Sequence, residues 1–148
     1  MKITLDQIKA LREETGAGIM DVRKALIESE GDTKAAKVWI EKKGLKRAAE
    51  KEDRTTEAGY VFSYVHFNGK VGSLVKLVCE TDFVAKTDDF QNLGREIAMH
   101  VAGVKPENVE ELLKQDYLRD SSKTIEQIVK LVSGKTGENI RVTSIASM

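Results

Sequence analysis

A change of hydrophobic period constrains the fold of this chain more than any other feature. From Gly59 to Glu80 the sequence reads GYVFSYVHFNGKVGSLVKLVCE, and apolar residues alternate with polar ones as in a strand with one buried face. The dipeptide Asn68-Gly69 divides the segment and supplies the positive φ angles that a tight hairpin turn needs. We therefore expect an antiparallel hairpin, with the helical patterns on either side arranged around a sheet.

Three short helices precede the hairpin and are predicted to form a small bundle over residues 1–44. The first begins with a capping-box pattern, Thr4 followed by Gln7, and the turn TGAG separates it from the second. Gly31 and Gly44 are placed to end the second and third helices. Residues 45–58 are charged and helix-prone with little to bury, which indicates a linker helix.

Residues 59–148 are expected to form an α+β core. Thr87 can cap a helix that carries Asp88 and Asp89 in its first turn, where acids complement the helix dipole. Two further helical patterns follow, and the closing residues ENIRVTSIASM alternate as a third strand does. The predicted core is a small three-stranded antiparallel sheet with helices on one face.

Bulk composition argues against several classes of protein. Basic and acidic residues number 24 each, so the formal net charge is zero, whereas a general nucleic-acid binder carries a basic excess. No apolar run has the length of a membrane span or the form of a signal peptide. The one cysteine, Cys79, cannot form an internal disulfide, which fits a reducing compartment. We expect a cytoplasmic protein that binds neither nucleic acid nor membranes.

Short motifs that suggest nucleotide or metal chemistry are weak in this chain. The GKTG at 134–137 resembles part of a phosphate-binding loop, but Val129 stands where the full loop has glycine, and a helix rather than a strand precedes it. His66 and His100 have no cysteine or second histidine at metal-ligand spacing, so both are read as structural. Cys79, which ends an apolar run, is read as buried and inert. These residues predict no metal or cofactor site.

The stretch LVCETDFVAKTDDF leaves one question open. Four acids, Glu80, Asp82, Asp88 and Asp89, surround Phe83. Paired carboxylates can serve acid–base catalysis where their environments separate their pKa values, but the neighbouring residues do not suggest such a pocket. Phe83 lies between strand and helix, where an aromatic side chain is either core or a protruding anchor for a partner. The pattern alone favours a core residue.

Two motifs resemble the signatures of the elongation factor Ts family. LREETGAGIMDVRKALIESEGD, from Leu11 to Asp32, matches the family's N-terminal signature nearly residue for residue, and TDFVA follows a strand as it does in the family. AAEKEDRTTEAG and GENIRV are also similar to family segments. The likeness extends over nearly the whole chain and keeps the motifs in order.

The resemblance implies a guanine-nucleotide exchange factor for elongation factor Tu in bacterial or organellar translation, with no covalent chemistry, catalytic residue, metal ligand or cofactor. It implies that the N-terminal bundle is of the ubiquitin-associated type and docks on the GTPase domain. It further implies that Asp82 and Phe83 enter the partner near its Mg²⁺ and phosphate site, where Phe83 wedges between helices. The partner-binding residues expected on this basis are Thr81, Asp82, Phe83 and Val84 in the TDFVA segment and Leu11, Ile19, Met20 and Arg23 in the bundle.

The chain also departs from the longer family members, which carry a second core subdomain and a helical hairpin insertion. LLKQDYLRDSSKTIEQIV is similar to a compressed junction that leads directly to the family's closing helix and strand. Either the short core suffices, or two chains pair as a homodimer to replace what is missing. Position 19 is Ile19, where the family commonly has methionine.

Two rival functions come from other classes. One is a ubiquitin-associated-type adaptor that binds a different protein or a nucleic acid through residues 1–44, but it gives TDFVA no role. The other is a small acid–base hydrolase that uses Glu80 and Asp82. Neither predicts nucleotide release from a GTPase.

Overall fold

The computed structural model of the chain describes residues 2–148 and confirms the α+β class. Three helices come first, then a mixed region in which strands and helices alternate. The elements are α1 (Leu5–Thr15), α2 (Ile19–Glu28), α3 (Thr33–Ala49), β1 (Ala58–Val65), β2 (Gly72–Cys79), α4 (Asp82–Ala85), α5 (Asp88–Val104), α6 (Val109–Lys114), β3 (Asp116–Tyr117), β4 (Asp120–Thr124), α7 (Ile125–Thr136) and β5 (Arg141–Ser147).

The predicted three-stranded antiparallel sheet is confirmed, with β2 between β1 and β5. One face carries alternate strand residues such as Phe62, Val75 and Leu77, and this face packs against α5. Residues of α7 join the same core from behind α5 and α6. Phe90 of α5 lies at its centre, fully buried, with its ring centroid 5.9 Å from that of Phe62. The alternation of the strands therefore sets which side chains form the core.

The hairpin between β1 and β2 is present, but its turn is wider than the Asn68-Gly69 pattern predicts. His66 donates its backbone N–H to Val71 at 2.9 Å, so four residues form the loop. Only Gly69 has a positive φ, at 70°, and Asn68 instead accepts the backbone N–H of Lys70 through its side-chain oxygen at 2.9 Å. The hydrogen bond to the Asn68 side chain stabilises the turn, so a second residue with a positive φ is not needed.

The N-terminal helices form the expected three-helix bundle with its own apolar core. Thr4 and Gln7 make both bonds of the capping box that begins α1. The core residues are Ile8, Leu11, Val22, Ala25, Leu26 and Ala36. Trp39 is half-buried at the edge of this core and donates its indole N–H to Glu28 at 2.6 Å.

The third helix is longer than predicted, because Gly44 does not end it. The helix α3 continues to Ala49, and a Cβ on Gly134 of α7 would lie only 2.1 Å from the Gly44 carbonyl oxygen. The two helices thus cross with their backbones in contact, and this packing offsets the low helix propensity of glycine. The separate linker helix expected over residues 45–58 is wrong: 45–49 are the end of α3, and 50–57 are turns and irregular backbone.

A two-stranded hairpin, β3–β4, occupies the compressed junction that precedes α7. His100, buried on α5, accepts the backbone N–H of Leu118 through Nδ1 at 3.2 Å, and its Nε2 lies 2.9 Å from the side-chain oxygen of Gln115. Tyr117 bonds to Glu96, which also pairs with Arg119. His100 is therefore structural, as predicted, and it fixes the hairpin to α5.

Candidate functional site

A single helical turn, α4, carries the TDFVA segment directly after the central strand. Thr81 caps it, since its hydroxyl oxygen accepts the backbone N–H of Val84 at 3.3 Å and its carbonyl accepts that of Ala85 at 3.2 Å. Val84 and Ala85 are buried in the main core, whereas Phe83 is 82% exposed and Asp82 is also exposed. The core interpretation of Phe83, which the pattern alone favoured, is therefore wrong.

The base of this turn is held by two carboxylates that sequence reasoning did not single out as a pair. Glu138 accepts the backbone N–H groups of Glu80 and Thr81 through Oε1, at 3.1 and 2.9 Å, and the Thr81 hydroxyl through Oε2 at 2.7 Å. Glu80 in return accepts the backbone N–H of Asn139 at 2.7 Å and lies 3.7 Å from the Arg54 guanidinium. We call Glu80, Thr81, Glu138 and Asn139 the carboxylate clamp. In the sequence, only the GENIRV segment pointed to the clamp. That segment is similar to a family segment, but no role was predicted for it from the sequence.

The second candidate surface lies at the start of α2. Met20 is 71% exposed, and Ile19 and Arg23 are exposed beside it. Gly18 caps the helix without a side-chain bond, so the chain reaches this surface through the small residues of the TGAG turn. The exposed apolar pair with a neighbouring cation has the composition of a protein-binding surface.

Leu11 and Val84 are the two predicted contact residues that the structure places in the interior. Leu11 is in the bundle core and Val84 in the core beneath the sheet, both almost fully buried. A partner that meets the folded chain does not reach either side chain. Val84 packs α4, which carries Phe83, against the main core, and Leu11 packs in the bundle core beside α2, which carries Met20.

Lys135 of α7 connects the two surfaces. Its Nζ pairs with Asp89 in the first turn of α5, at 3.0 Å. Its stem lies against the turn before α2, since a Cβ on Gly16 would be 2.3 Å from the Lys135 Cε. The bundle surface and the region after α4 are therefore joined through one side chain as well as through the α3–α7 crossing.

The amino-acid sequence is similar to proteins of one family. A sequence model of the family described as "Elongation factor TS" matches residues 80–148, which begin at the clamp. The elongation factor Ts of Fervidobacterium nodosum is 46% identical over 147 residues, covering 91% of this chain and 75% of the relative. That of Thermotoga maritima is 38% identical over 186 residues, covering 97% of this chain and 94% of the relative.

The chain belongs to the elongation factor Ts family. It is therefore one of the elongation factors of protein biosynthesis. The alignment with the Thermotoga maritima protein is longer than this chain, so that relative contains residues with no counterpart here. The elongation factor Ts of Synechocystis sp. is 37% identical and covers 95% of this chain.

The acids of the opening stretch do not form a catalytic cluster in this member of the elongation factor Ts family. Glu80 belongs to the clamp, Asp82 and Asp88 are exposed, and Asp89 pairs with Lys135. Among residues 2–148, no three His, Cys, Asp or Glu side chains are grouped so that they could hold a metal ion. These positions do not support the rival hydrolase.

A cavity of about 390 Å³ also lies away from Glu80 and Asp82. It opens between the bundle and α7 and is lined in part by the TGAG turn, Gly44 and Gly134. Asp21 faces it and pairs with Lys43 at 2.9 Å and Arg47 at 2.7 Å. The cavity is thus the gap left where the bundle meets the core, and the Asp21 carboxylate that faces it is already paired.

Cys79 lies directly beneath the clamp and is buried, as predicted. Its thiol donates a hydrogen bond to the Thr81 carbonyl at 3.2 Å. Burial, with a smaller contribution from the nearby Glu138 carboxylate, raises the pKa of Cys79 to about 11. Buried and protonated at neutral pH, the thiol is poorly suited to act as a nucleophile.

The described chain has no helix that is both long and apolar enough to cross a membrane.

Proposed function

We propose that this protein is a guanine-nucleotide exchange factor that binds the GDP complex of elongation factor Tu and releases GDP during translation elongation. The observation that carries the proposal is the exposed Phe83 on the clamped turn after β2. A folded chain that leaves a phenylalanine exposed at an ordered position has a surface suited to a partner's pocket. Family membership supports elongation factor Tu, the GTPase of translation elongation, as that partner.

Phe83 acts as a wedge in this mechanism. It inserts between helices of the GTPase, and Asp82 pairs with a polar group beside the insertion or orients the turn. The insertion disturbs the partner's Mg²⁺ site and phosphate loop, so GDP dissociates, and GTP binding then releases the factor. No bond in a substrate is made or broken, and the factor needs no cofactor, nucleic acid or membrane.

The bundle supplies a second contact in the proposed complex. Ile19, Met20 and Arg23 dock on the GTPase domain, and Leu11 and Val84 support the docking elements from the interior. Replacing Met20 with aspartate should weaken the complex, because it would place an unpaired charge in an apolar contact. If calorimetry showed that Met20→Asp binds elongation factor Tu with the affinity of the parent, the bundle would not be part of the interface.

Linkage gives the test of the proposal. A factor that lowers the partner's affinity for GDP must lose affinity for the partner by the same ratio when GDP is bound. We expect tight binding to nucleotide-free elongation factor Tu and progressive dissociation as GDP is titrated, measured by calorimetry. The adaptor reading predicts an affinity that does not depend on GDP, and that result would contradict exchange activity.

The proposed site of action is the cytoplasm. Cys79 is an unpaired, buried thiol, which fits a reducing compartment.

A further inference from the structure

Glu138 connects the end of α7 to the turn that carries Phe83. Gly137 ends the helix in the left-handed region, at φ 79°, and the chain then turns toward the end of β2. Ser133, buried on α7, donates its hydroxyl to the Glu138 carbonyl. The backbone of Glu138 is therefore fixed before its side chain reaches α4.

The other half of the clamp is anchored just as firmly. Asn139 is buried, and its side-chain amide donates to the backbone carbonyls of Glu52 at 3.2 Å and Arg54 at 2.8 Å. Its backbone N–H donates to Glu80, one residue before the cap of α4. The start of α4 is thus held to two distant segments of the chain, 50–57 and the end of α7.

A turn as short as α4 needs such support. Four residues cannot hold a helical turn by themselves, because nucleation fixes several dihedral angles for each hydrogen bond gained. An anchor side chain on a disordered turn would lose conformational entropy when it binds, and that loss would reduce affinity and rate. Glu138 uses both carboxylate oxygens on the cap and makes no hydrogen bond to Asp82 or Phe83.

We propose that Glu138 is a positioning residue for nucleotide exchange, which holds Thr81 and α4 in their bound shape before the partner arrives. The inference rests on the proposed function and assigns the GENIRV segment a role in it. Glu138 does not touch the partner; it acts through Thr81, and Thr81 acts through the turn that presents Phe83.

Glu138→Gln tests this role with little change of shape. Glutamine keeps one acceptor oxygen but replaces the other with an NH₂ group, which then faces N–H or O–H donors of the cap. Glu126→Gln is the matched control, since Glu126 lies in the first turn of α7, at the opposite end from Glu138, and pairs with Lys130 at 2.9 Å. Thr81→Val, which removes the hydroxyl that Glu138 accepts, should behave as Glu138→Gln.

The first readout is amide hydrogen exchange of the free protein, followed by NMR, which needs no partner. We expect faster exchange at Thr81 and Ala85 in Glu138→Gln, with the amides of α5 and the sheet unchanged. Equal protection of α4 in Glu138→Gln and the parent would overturn the proposal. This holds even if the parent fails to release GDP, a result that would contradict the proposed function separately.

The second readout is a double-mutant cycle with Phe83→Ala on the rate of GDP release. Loss of hydrogen bonds to a carboxylate should slow release by at least about 10-fold in Glu138→Gln. If Glu138 acts through Phe83, it should add little further loss in the Phe83→Ala background. A full additional loss in that background, or parent-like release by a folded Glu138→Gln, would show a merely structural role.

Discussion

Two phenylalanines have opposite environments: Phe90 is buried and contributes to stability, whereas Phe83 is exposed and available for binding. Phe90 lies on the apolar stripe of α5, a position that helical periodicity alone marks as buried, and it is fully buried. Phe83, seven positions earlier, is exposed because a turn capped at Thr81 and held from Glu138 faces it outward. Local pattern could not reveal this, since the deciding contact joins residues far apart in the chain.

The two residues should respond oppositely to truncation. Phe90→Ala leaves a core cavity and should cost ~3–5 kcal/mol of unfolding free energy. Phe83→Ala removes an exposed side chain and should change stability by less than ~0.5 kcal/mol. Urea unfolding followed by circular dichroism measures both, and a strongly destabilised Phe83→Ala would contradict the assignment of Phe83 as an external anchor.

Cys79 offers a second residue-scale prediction. Its pKa is raised to about 11 by burial, so at pH 7 to 8 the thiol is protonated and shielded. Iodoacetamide should leave the native protein unmodified in that range and alkylate it once urea unfolds the chain, as measured by mass spectrometry. Rapid alkylation of the native protein would mean that the clamp opens readily.

At the scale of elements, local signals predicted strands and helix starts better than helix ends. Alternation predicted β1, β2 and β5, a capping box predicted the start of α1, and the Thr87 cap predicted the start of α5. Gly44 was read as a stop because glycine is a poor helix former, yet the contact with α7 sustains α3 through it. Contacts between distant elements, such as this crossing and the carboxylate clamp, leave no periodic signal in the sequence.

The crossing of α3 and α7 gives an element-scale prediction with an internal control. Gly134→Ala would place its Cβ 2.1 Å from the Gly44 carbonyl oxygen, so the helices must separate at a cost of ~1–3 kcal/mol. Gly44→Ala meets no atom within 4 Å and should be neutral or stabilising by up to ~1 kcal/mol. Thermal melts of the two variants test this, and a reversed order would contradict the close crossing.

For the whole molecule, the exposed outer face of the sheet raises the question of whether two copies of the chain form a dimer. The outer face of the sheet exposes Val61, Val65 and Leu74, and Phe67 is exposed in the adjacent loop. We propose that a second copy covers this face, as the sequence comparison with longer family members suggested. Multi-angle light scattering should then give twice the mass of one chain, and Leu74→Glu should return it to the mass of one. A single-chain mass for the parent at high concentration would remove the dimer.

In the proposed mechanism Phe83, on its clamped turn, drives nucleotide release. This role is tested by stopped-flow release of fluorescent GDP from elongation factor Tu, with the parent protein, with Phe83→Ala and without a factor. We predict fast release with the parent, and release slower by roughly 30-fold or more with Phe83→Ala, as for a binding hot spot. Equal release rates with the parent and with a folded Phe83→Ala would contradict the account.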